Sequence, residues 1–368
     1  MAFAKPKHSK GEINRAGDVL ICPSSTDEEI NNALEILNQW RACHAYPINT
    51  FQATLRARLK KTNTNSLVAQ RLKRTPSVVR KLQLSNRMAL SRMQDIGGLR
   101  AVLDTITDVN TLKDEYTQKN KLEHELIKTN DYIINPKDSG YRSLHLIFKY
   151  KNSRNPIYDG LLVELQIRTK LQHAWATAVE TIGTYLDKPL KSSQGPQSWL
   201  DFFKIVSAAF SIIENTPINS ELSHLSNEEI LELATNKATD LNVIKTLLSF
   251  TIATDSIETK NASGNYHIIK LNSENMKVEV TSFGQRRLAE ATEAYLKIEQ
   301  NIASSPHLQV VLVATESIDS LKKAYPSYFL NTEEFCKAII TIYKMLNQIN
   351  AAKLSALKRQ LRMKKRKK

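Results

Sequence analysis

Between Asp131 and Thr169, two stretches alternate with the period of a strand and carry reactive side chains on one face. In DYIINPKDSGYRSLHLIFKY, Tyr141, Ser143 and His145 fall on one side, and Arg142, Leu144, Leu146 and Phe148 on the other. In LLVELQIRT, Glu164, Gln166 and Arg168 stand together opposite Val163, Leu165 and Ile167. The link KNSRNPIYDG has the Asn, Pro, Asp and Gly content of a loop, so the strands are expected to be neighbours whose polar faces share a cleft. Lys137 and Gly140 lead tightly into Tyr141. A solvated sheet face would look the same in one strand, but two such faces favour a phosphate-handling site. Chemistry of that kind needs charge neutralisation and in-line positioning more than a covalent nucleophile.

Further candidates lie upstream. In LVAQRLKRTPSVVRKLQLS, Thr75 and Pro76 have the chemistry of an N-cap and a first-turn proline, so Ser77 and Lys81 stand one turn apart on one helical face. Arg71, Lys73 and Arg74 enter that helix start, where cations and free backbone donors suit a polyphosphate. SRMQDIGGLRAVLDT reads as a loop feeding a buried strand, with Asp95 at the junction and Gly97 and Gly98 beside it. Asp95 and Glu164 together offer a pair of acids for a magnesium ion, which takes a few carboxylates plus the phosphates of its substrate.

The elements that must position these residues are strands alternating with helices, an α/β layer architecture. A helix is expected from near Ser25, where STDEE supplies a cap and early acids, to a stop at Pro47. A second helix from about Asn49 places Phe51, Leu55 and Leu59 at core spacing and Arg56, Arg58, Lys60 and Lys61 toward solvent. With 368 residues the chain is long for one core, and two domains are expected. Three cysteines lie far apart with no zinc-ligand spacing, and no apolar run approaches membrane-spanning length, so a cytoplasmic protein without zinc is expected. The net charge of +15 favours polyanionic partners, and nine of those charges fall in the acid-free tail after Asn350.

QRLKRTPSVVRK, RMQDIGGLRAV, DYIINPKDSGYRSLH and VELQIRT resemble, in order and spacing, the motif series of the RelA/SpoT pyrophosphokinase (alarmone synthetase) domain. The likeness runs from about Leu67 to Leu186. It implies a nucleotidyltransferase-like mixed sheet flanked by helices, and transfer of the β,γ-pyrophosphoryl group of ATP to a ribose 3′-hydroxyl. By that resemblance Arg71, Lys73, Arg74, Ser77 and Lys81 hold ATP, Asp95 and Glu164 hold Mg2+, and Tyr141 stacks on the acceptor base. Lys137, His145, Gln166 and Arg168 line the acceptor and phosphate sites, with Asp95, Glu164 and Gln166 as the catalytic group. His173 and Trp175, on the helix after the last strand, read as packing. The long members of the family also carry a hydrolase with a His-Asp metal site, and none of the eight histidines here precedes an aspartate.

Beyond Leu186 a Gly-Pro break precedes an apolar helix, then further helices, a hairpin in NYHIIKLNSENMKVEVTSF, the helix QRRLAEATEAYLKIEQNIA and a buried strand LQVVLVAT. The expected divisions are a synthetase domain over 1–215, a helical connector over 216–262, a smaller C-terminal α/β regulatory domain over 263–350 and a basic tail over 351–368. This layout resembles the CapRel fused toxin–antitoxin family. The resemblance implies pyrophosphorylation of the tRNA acceptor end, restraint by the C-terminal domain, and release by a phage capsid protein. Tyr325 and Tyr328, around the break at Pro326, are the candidate inhibitory contacts. A small synthetase making (p)ppGpp or (p)ppApp, and an inactive RNA-binding module, are the competing readings.

Overall fold

The computed structural model describes residues 3–61, 66–85, 88–118, 122–186, 188, 190, 193–247, 257–260, 264–272, 274–275, 277–302, 305, 308–314, 322, 326–329 and 332–366. They divide into two compact units. One comprises Met1–Asn130, Ser143–Lys170 and Thr254–Phe329, and the other Asp131–Arg142, Leu171–Ala253 and Leu330–Lys368.

The first unit opens with three helices, α1 (Lys10–Val19), α2 (Asp27–Cys43) and α3 (Ala45–Lys61). The first was not anticipated, although a reciprocal capping box of Ser9 and Glu12 starts it. Thr26 and Glu29 cap α2 in the same way. Pro47 does not end a helix as expected. The break falls at His44, and Pro47 sits in the first turn of α3, where its missing N–H costs nothing.

Strands β1 (Leu67–Leu72), β2 (Gly97–Leu103), β3 (Glu125–Asp131), β4 (Leu144–Lys149), β5 (Leu162–Thr169), β6 (Ile257–Lys260), β7 (Tyr266–Asn272), β8 (Lys277–Phe283) and β9 (Leu308–Ala314) form one mixed sheet, in the order β3-β4-β5-β2-β1-β9-β7-β8-β6. Helices α4 (Thr75–Leu84) and α5 (Ile106–Thr117) connect its first strands. The pair β2 and β5 is parallel, whereas β1–β2 and β4–β5 are antiparallel. Gly97 is required at the start of β2 because a Cβ there would lie 2.8 Å from Ile48 Cγ2 and 3.1 Å from His44 Cβ.

The hairpin of β7 and β8 forms as anticipated, but its strands do not build a sheet of their own. β9 pairs with β1 on one side and β7 on the other, so the C-terminal strands extend the sheet of β1–β5. One transverse row runs Glu164, Gly98, Arg71, Val313, His267 across five strands. Behind the sheet, Tyr266, Ile268, Val310, Leu312 and Ala314 form a core with Ala45 and with Leu288, Ala291 and Tyr295 of α9 (Leu288–Asn301). The compact units therefore do not follow the divisions expected at 215 and 262.

The second unit is helical, with α6 (Lys170–Tyr185), α7 (Gln197–Glu214), α8 (Asn227–Asp240) and α10 (Glu333–Arg366). Phe335 of α10 packs on Phe202, Phe203 and Phe210 of α7, and Tyr343 donates a hydrogen bond to the Thr235 carbonyl of α8. The basic segment expected as a tail continues α10 as helix to Arg366. No described helix is long and apolar enough to cross a membrane.

Because β9 is an interior strand, the two halves of the sequence should unfold together. Leu312→Ala should cost roughly 2–5 kcal/mol. Hydrogen exchange should show protection lost in β2 as much as in β7. Loss confined to residues 257–314 would mean that the C-terminal strands form an independent domain.

Candidate active site

The polar face at the centre of the sheet gathers most of the residues singled out above. The alternation in β5 holds, and its register sets His145 of β4 opposite Gln166 and Gly98 of β2 beside Glu164. Ala69, Arg71, Lys73, Asp95, Gly98, Leu99, Arg100, Glu164 and Gln166 line one cleft.

Two ionic clusters occupy this face. In the first, Asp95 takes Lys73 Nζ on Oδ2 at 2.7 Å and Lys81 Nζ on Oδ1 at 2.9 Å. Burial alone would raise the Asp95 carboxyl; the two lysines reverse that and hold it at about 2. Burial lowers Lys73, with Asp95 opposing the shift. The second cluster is a chain. His145 Nδ1 lies 2.8 Å from Glu164 Oε1, Gln166 Nε2 donates to Glu164 Oε2 at 2.8 Å, and Arg168 Nη2 donates to Gln166 Oε1 at 3.1 Å. Arg168 Nε also reaches Ser143 Oγ at 3.3 Å. Burial works to raise Glu164, and His145 outweighs it, so Glu164 stays below the ordinary carboxylate range despite the repulsion of Asp95.

The composition fits a hard cation. Two ionised carboxylates line one cleft and repel each other, a chemistry that a magnesium ion accepts alongside substrate phosphates, and their oxygens are held here by Lys73, Lys81, His145 and Gln166. Among the described residues no three or more His, Cys, Asp or Glu side chains are grouped so as to hold a metal ion.

The remaining candidates are distributed differently. Ser77 stands in the first turn of α4, whose N-cap residue Arg74 makes no side-chain cap. Arg74 Nη1 instead donates to Gln309 Oε1 of β9 at 3.0 Å. Tyr141 does not lie on β4, which begins at Leu144; it belongs with Lys137 to the second unit. There Lys137 Nζ stands 5.4 Å from the centre of the Tyr141 ring and 4.5 Å from that of Tyr132. The turn before it requires Gly140: its φ is +86°, and a Cβ would meet Ser207 Cβ at 2.8 Å. Tyr141, Trp175, Phe203, Leu190 and Lys204 line a cavity of about 280 Å3. Trp175 is a packing residue that donates its indole N–H to the Phe203 carbonyl at 2.8 Å, and it also walls this cavity. Tyr325 and the side chain of Tyr328 lie outside the described residues.

Sequence reasoning passed over Arg100, although the period of two from Gly98 would have found it. It also missed Arg142, which anchors the loop carrying Tyr141. Arg142 donates to Ser207 Oγ at 3.1 Å, Thr216 Oγ1 at 3.1 Å and the Pro217 carbonyl at 2.6 Å.

Residues 70–188 match the family described as "Region found in RelA / SpoT proteins", and this stretch is a RelA/SpoT-type region. The chain is similar to the GTP pyrophosphokinase YjbM of Bacillus subtilis (strain 168), at 35% identity over 88 residues, 24% of this chain and 41% of that protein. It is also similar to YwaC of the same strain, at 31% over 112 residues, 29% of this chain and 52% of that protein. With the GTP pyrophosphokinase of Escherichia coli (strain K12) it shares 30% over 146 residues, 39% of this chain and 18% of that protein. The chain thus spans about half or less of these curated relatives. Among solved structures, small alarmone synthetase 1 of Bacillus subtilis bound to its product pppGpp aligns with 49% of this chain and 94% of that one, at TM-score 0.42 and 21% identity.

The pairing of Asp95 has a pH signature. Its carboxyl sits near 2 in the fold against an ordinary 3.8, so the stabilisation is complete above about pH 4 and is lost as pH falls toward 2. The Asp95→Asn variant should lack this component, about 2 kcal/mol. Chemical denaturation of both proteins between pH 2 and 5 checks it, and parallel curves would contradict the ionic assignment.

Proposed function

We infer that a chain with a RelA/SpoT-type region and this central cleft is an ATP-dependent pyrophosphokinase. The observation that carries the reading is the juxtaposition, in one cleft, of an acid bound by two lysines and an acid bound by His145 and Gln166. In the reaction a 3′-hydroxyl oxygen attacks the β-phosphorus of ATP, the bond from that phosphorus to the α,β-bridging oxygen breaks, AMP leaves, and the hydroxyl proton is lost to a base. Arg71, Lys73, Ser77 and Lys81 are assigned to the triphosphate, whose charge grows on the leaving side. Asp95 and Glu164 would hold Mg2+, which supplies neutralisation of phosphate charge when bound. Lowered by His145, Glu164 is a weak proton acceptor, so the site uses its charge more than its basicity. Gln166 and Arg168 orient it from the side, and Tyr141 with Lys137 offers a flat, cation-backed surface for the acceptor base.

For the acceptor we propose the 3′ end of tRNA. The net charge of +15 and the continuous basic helix at the end of α10 support a large polyanion. The CapRel resemblance adds restraint by the C-terminal region, with Tyr325 and Tyr328 as contacts, and release by a phage capsid protein. A mononucleotide acceptor is the second reading, favoured by the names of the relatives, which are GTP pyrophosphokinases.

Incubation with ATP labelled at the γ-phosphate and either tRNA or GTP separates the two. Label should enter tRNA, and entry should fall steeply with salt; label only in a mononucleotide would favour the second reading. Asp95→Asn and Glu164→Gln should each lower transfer on the order of a hundredfold or more in folded protein. Tyr141→Ala should weaken acceptor use by about 1–3 kcal/mol while leaving ATP binding intact. Near-parental transfer by either acid variant would sink the assignment.

A further inference from the structure

The first backbone donor of α4 is taken by a carboxylate from 224 residues later in the chain. Thr75 N donates to Glu299 Oε1 at 2.9 Å, and Thr75 Oγ1 donates to Glu299 Oε2 at 3.1 Å. Glu299, near the end of α9, is only 6% exposed and forms an ion pair of 2.7 Å with Arg41 of α2, which is 0% exposed. Arg41 spends its remaining donors on the same place. Its Nε reaches the Lys73 carbonyl at 2.8 Å, its Nη1 reaches Asn38 Oδ1 at 2.9 Å and Thr75 Oγ1 at 2.5 Å, and its Nη2 reaches the Tyr295 hydroxyl at 2.8 Å. Tyr295 in turn donates to Glu299 Oε1 at 2.9 Å. On its other side, Lys73 N donates to the Ile96 carbonyl at 2.9 Å, one residue from Asp95. The backbone of Lys73 is thus clamped between Arg41 and Ile96, just before β2, with its ammonium on Asp95. The neighbouring Arg74 is tied to Gln309 of β9.

We propose that Glu299 and Gln309, which lie outside the RelA/SpoT-type region, are positioning residues for the ATP-side half of the site. They act through Arg41, Thr75 and Arg74 to fix the backbone of residues 73–75, and with it the aim of Lys73 and the placement of Ser77 in the first turn of α4. A core brace would need none of this convergence on three consecutive residues of the phosphate-facing segment. The buried guanidinium cannot turn away when the carboxylate is removed, because water does not reach it; loss of Glu299 therefore displaces the segment Arg41 holds. This role rests on the pyrophosphokinase reading.

The test is equilibrium binding of α,β-methylene ATP with Mg2+ to the full-length parent, Glu299→Gln and Gln309→Ala, followed by calorimetry, with KM for ATP and for acceptor measured alongside. Glu299→Gln should weaken analogue binding about tenfold or more, and Gln309→Ala about threefold to tenfold, the loss of a hydrogen bond to a charged group in each case. The acceptor KM should not change, whereas a merely structural role would lower Tm and leave both constants of the folded fraction untouched. Folded Glu299→Gln with parental affinity overturns the proposal. If that variant does not fold, Gln309→Ala with parental affinity does so. A parent that binds no analogue overturns the pyrophosphokinase reading itself, which separates the two failures.

Discussion

A guanidinium withdrawn entirely from water is the constraint on which the first unit depends. Arg41 is fully buried; burial works against its charge, and Tyr295 and Glu299 more than offset it. A buried charge tolerates few arrangements of its partners, since each must be near, oriented and itself desolvated. The partners here come from α2, from the turn into α4 and from α9. Three segments far apart in sequence are therefore held in one relation, and the cationic side of the cleft is built on the middle one.

The cleft follows the same electrostatic logic on a smaller scale. Asp95 and Glu164 are both kept ionised while largely removed from solvent, each by its own set of donors: lysines for one, an imidazole and an amide for the other. Lysine ammonium groups are mobile point charges on long stems, and those that hold Asp95 can be recruited by a phosphate without moving the backbone. Glu164 is held more rigidly, because its partners stand on the adjoining strand and two residues along its own. The difference suits a site in which one side must admit a flexible polyphosphate and the other must present a fixed charge.

Much of the cleft was legible because strand periodicity is local. Glu164, Gln166 and Arg168 alternate with Val163, Leu165 and Ile167, and nothing but an apolar-backed strand with a polar face accounts for that pattern. Ser77 and Lys81 followed from a proline-marked helix start, and the C-terminal hairpin from its Asn, Ser and Glu turn. Tyr141 was assigned to the strand because alternation extends past Leu144 in sequence, while the turn at Gly140 that ends it depends on contact with Ser207. The pairing of β9 with β1 left no local trace, since both read as buried strands and either could have found another neighbour. Arg41 was equally silent. On an amphipathic helix a buried arginine and a solvated one are written with the same letter, and only the distant Glu299 distinguishes them.

The antiparallel seam between β1 and β9 also orders events in time. Asp95 and the strands bearing His145 and Glu164 leave the ribosome long before Leu308–Ala314, and for much of that time β1 has an open edge and Arg41 lacks its counter-ion. At roughly 5–20 residues per second, the interval between the end of β5 and the start of β9 lasts roughly 7–30 seconds. A nascent chain would thus carry every motif of the RelA/SpoT-type region without the framework that aligns them. The framework around the cleft is therefore completed only when the last strand is inserted beside β1.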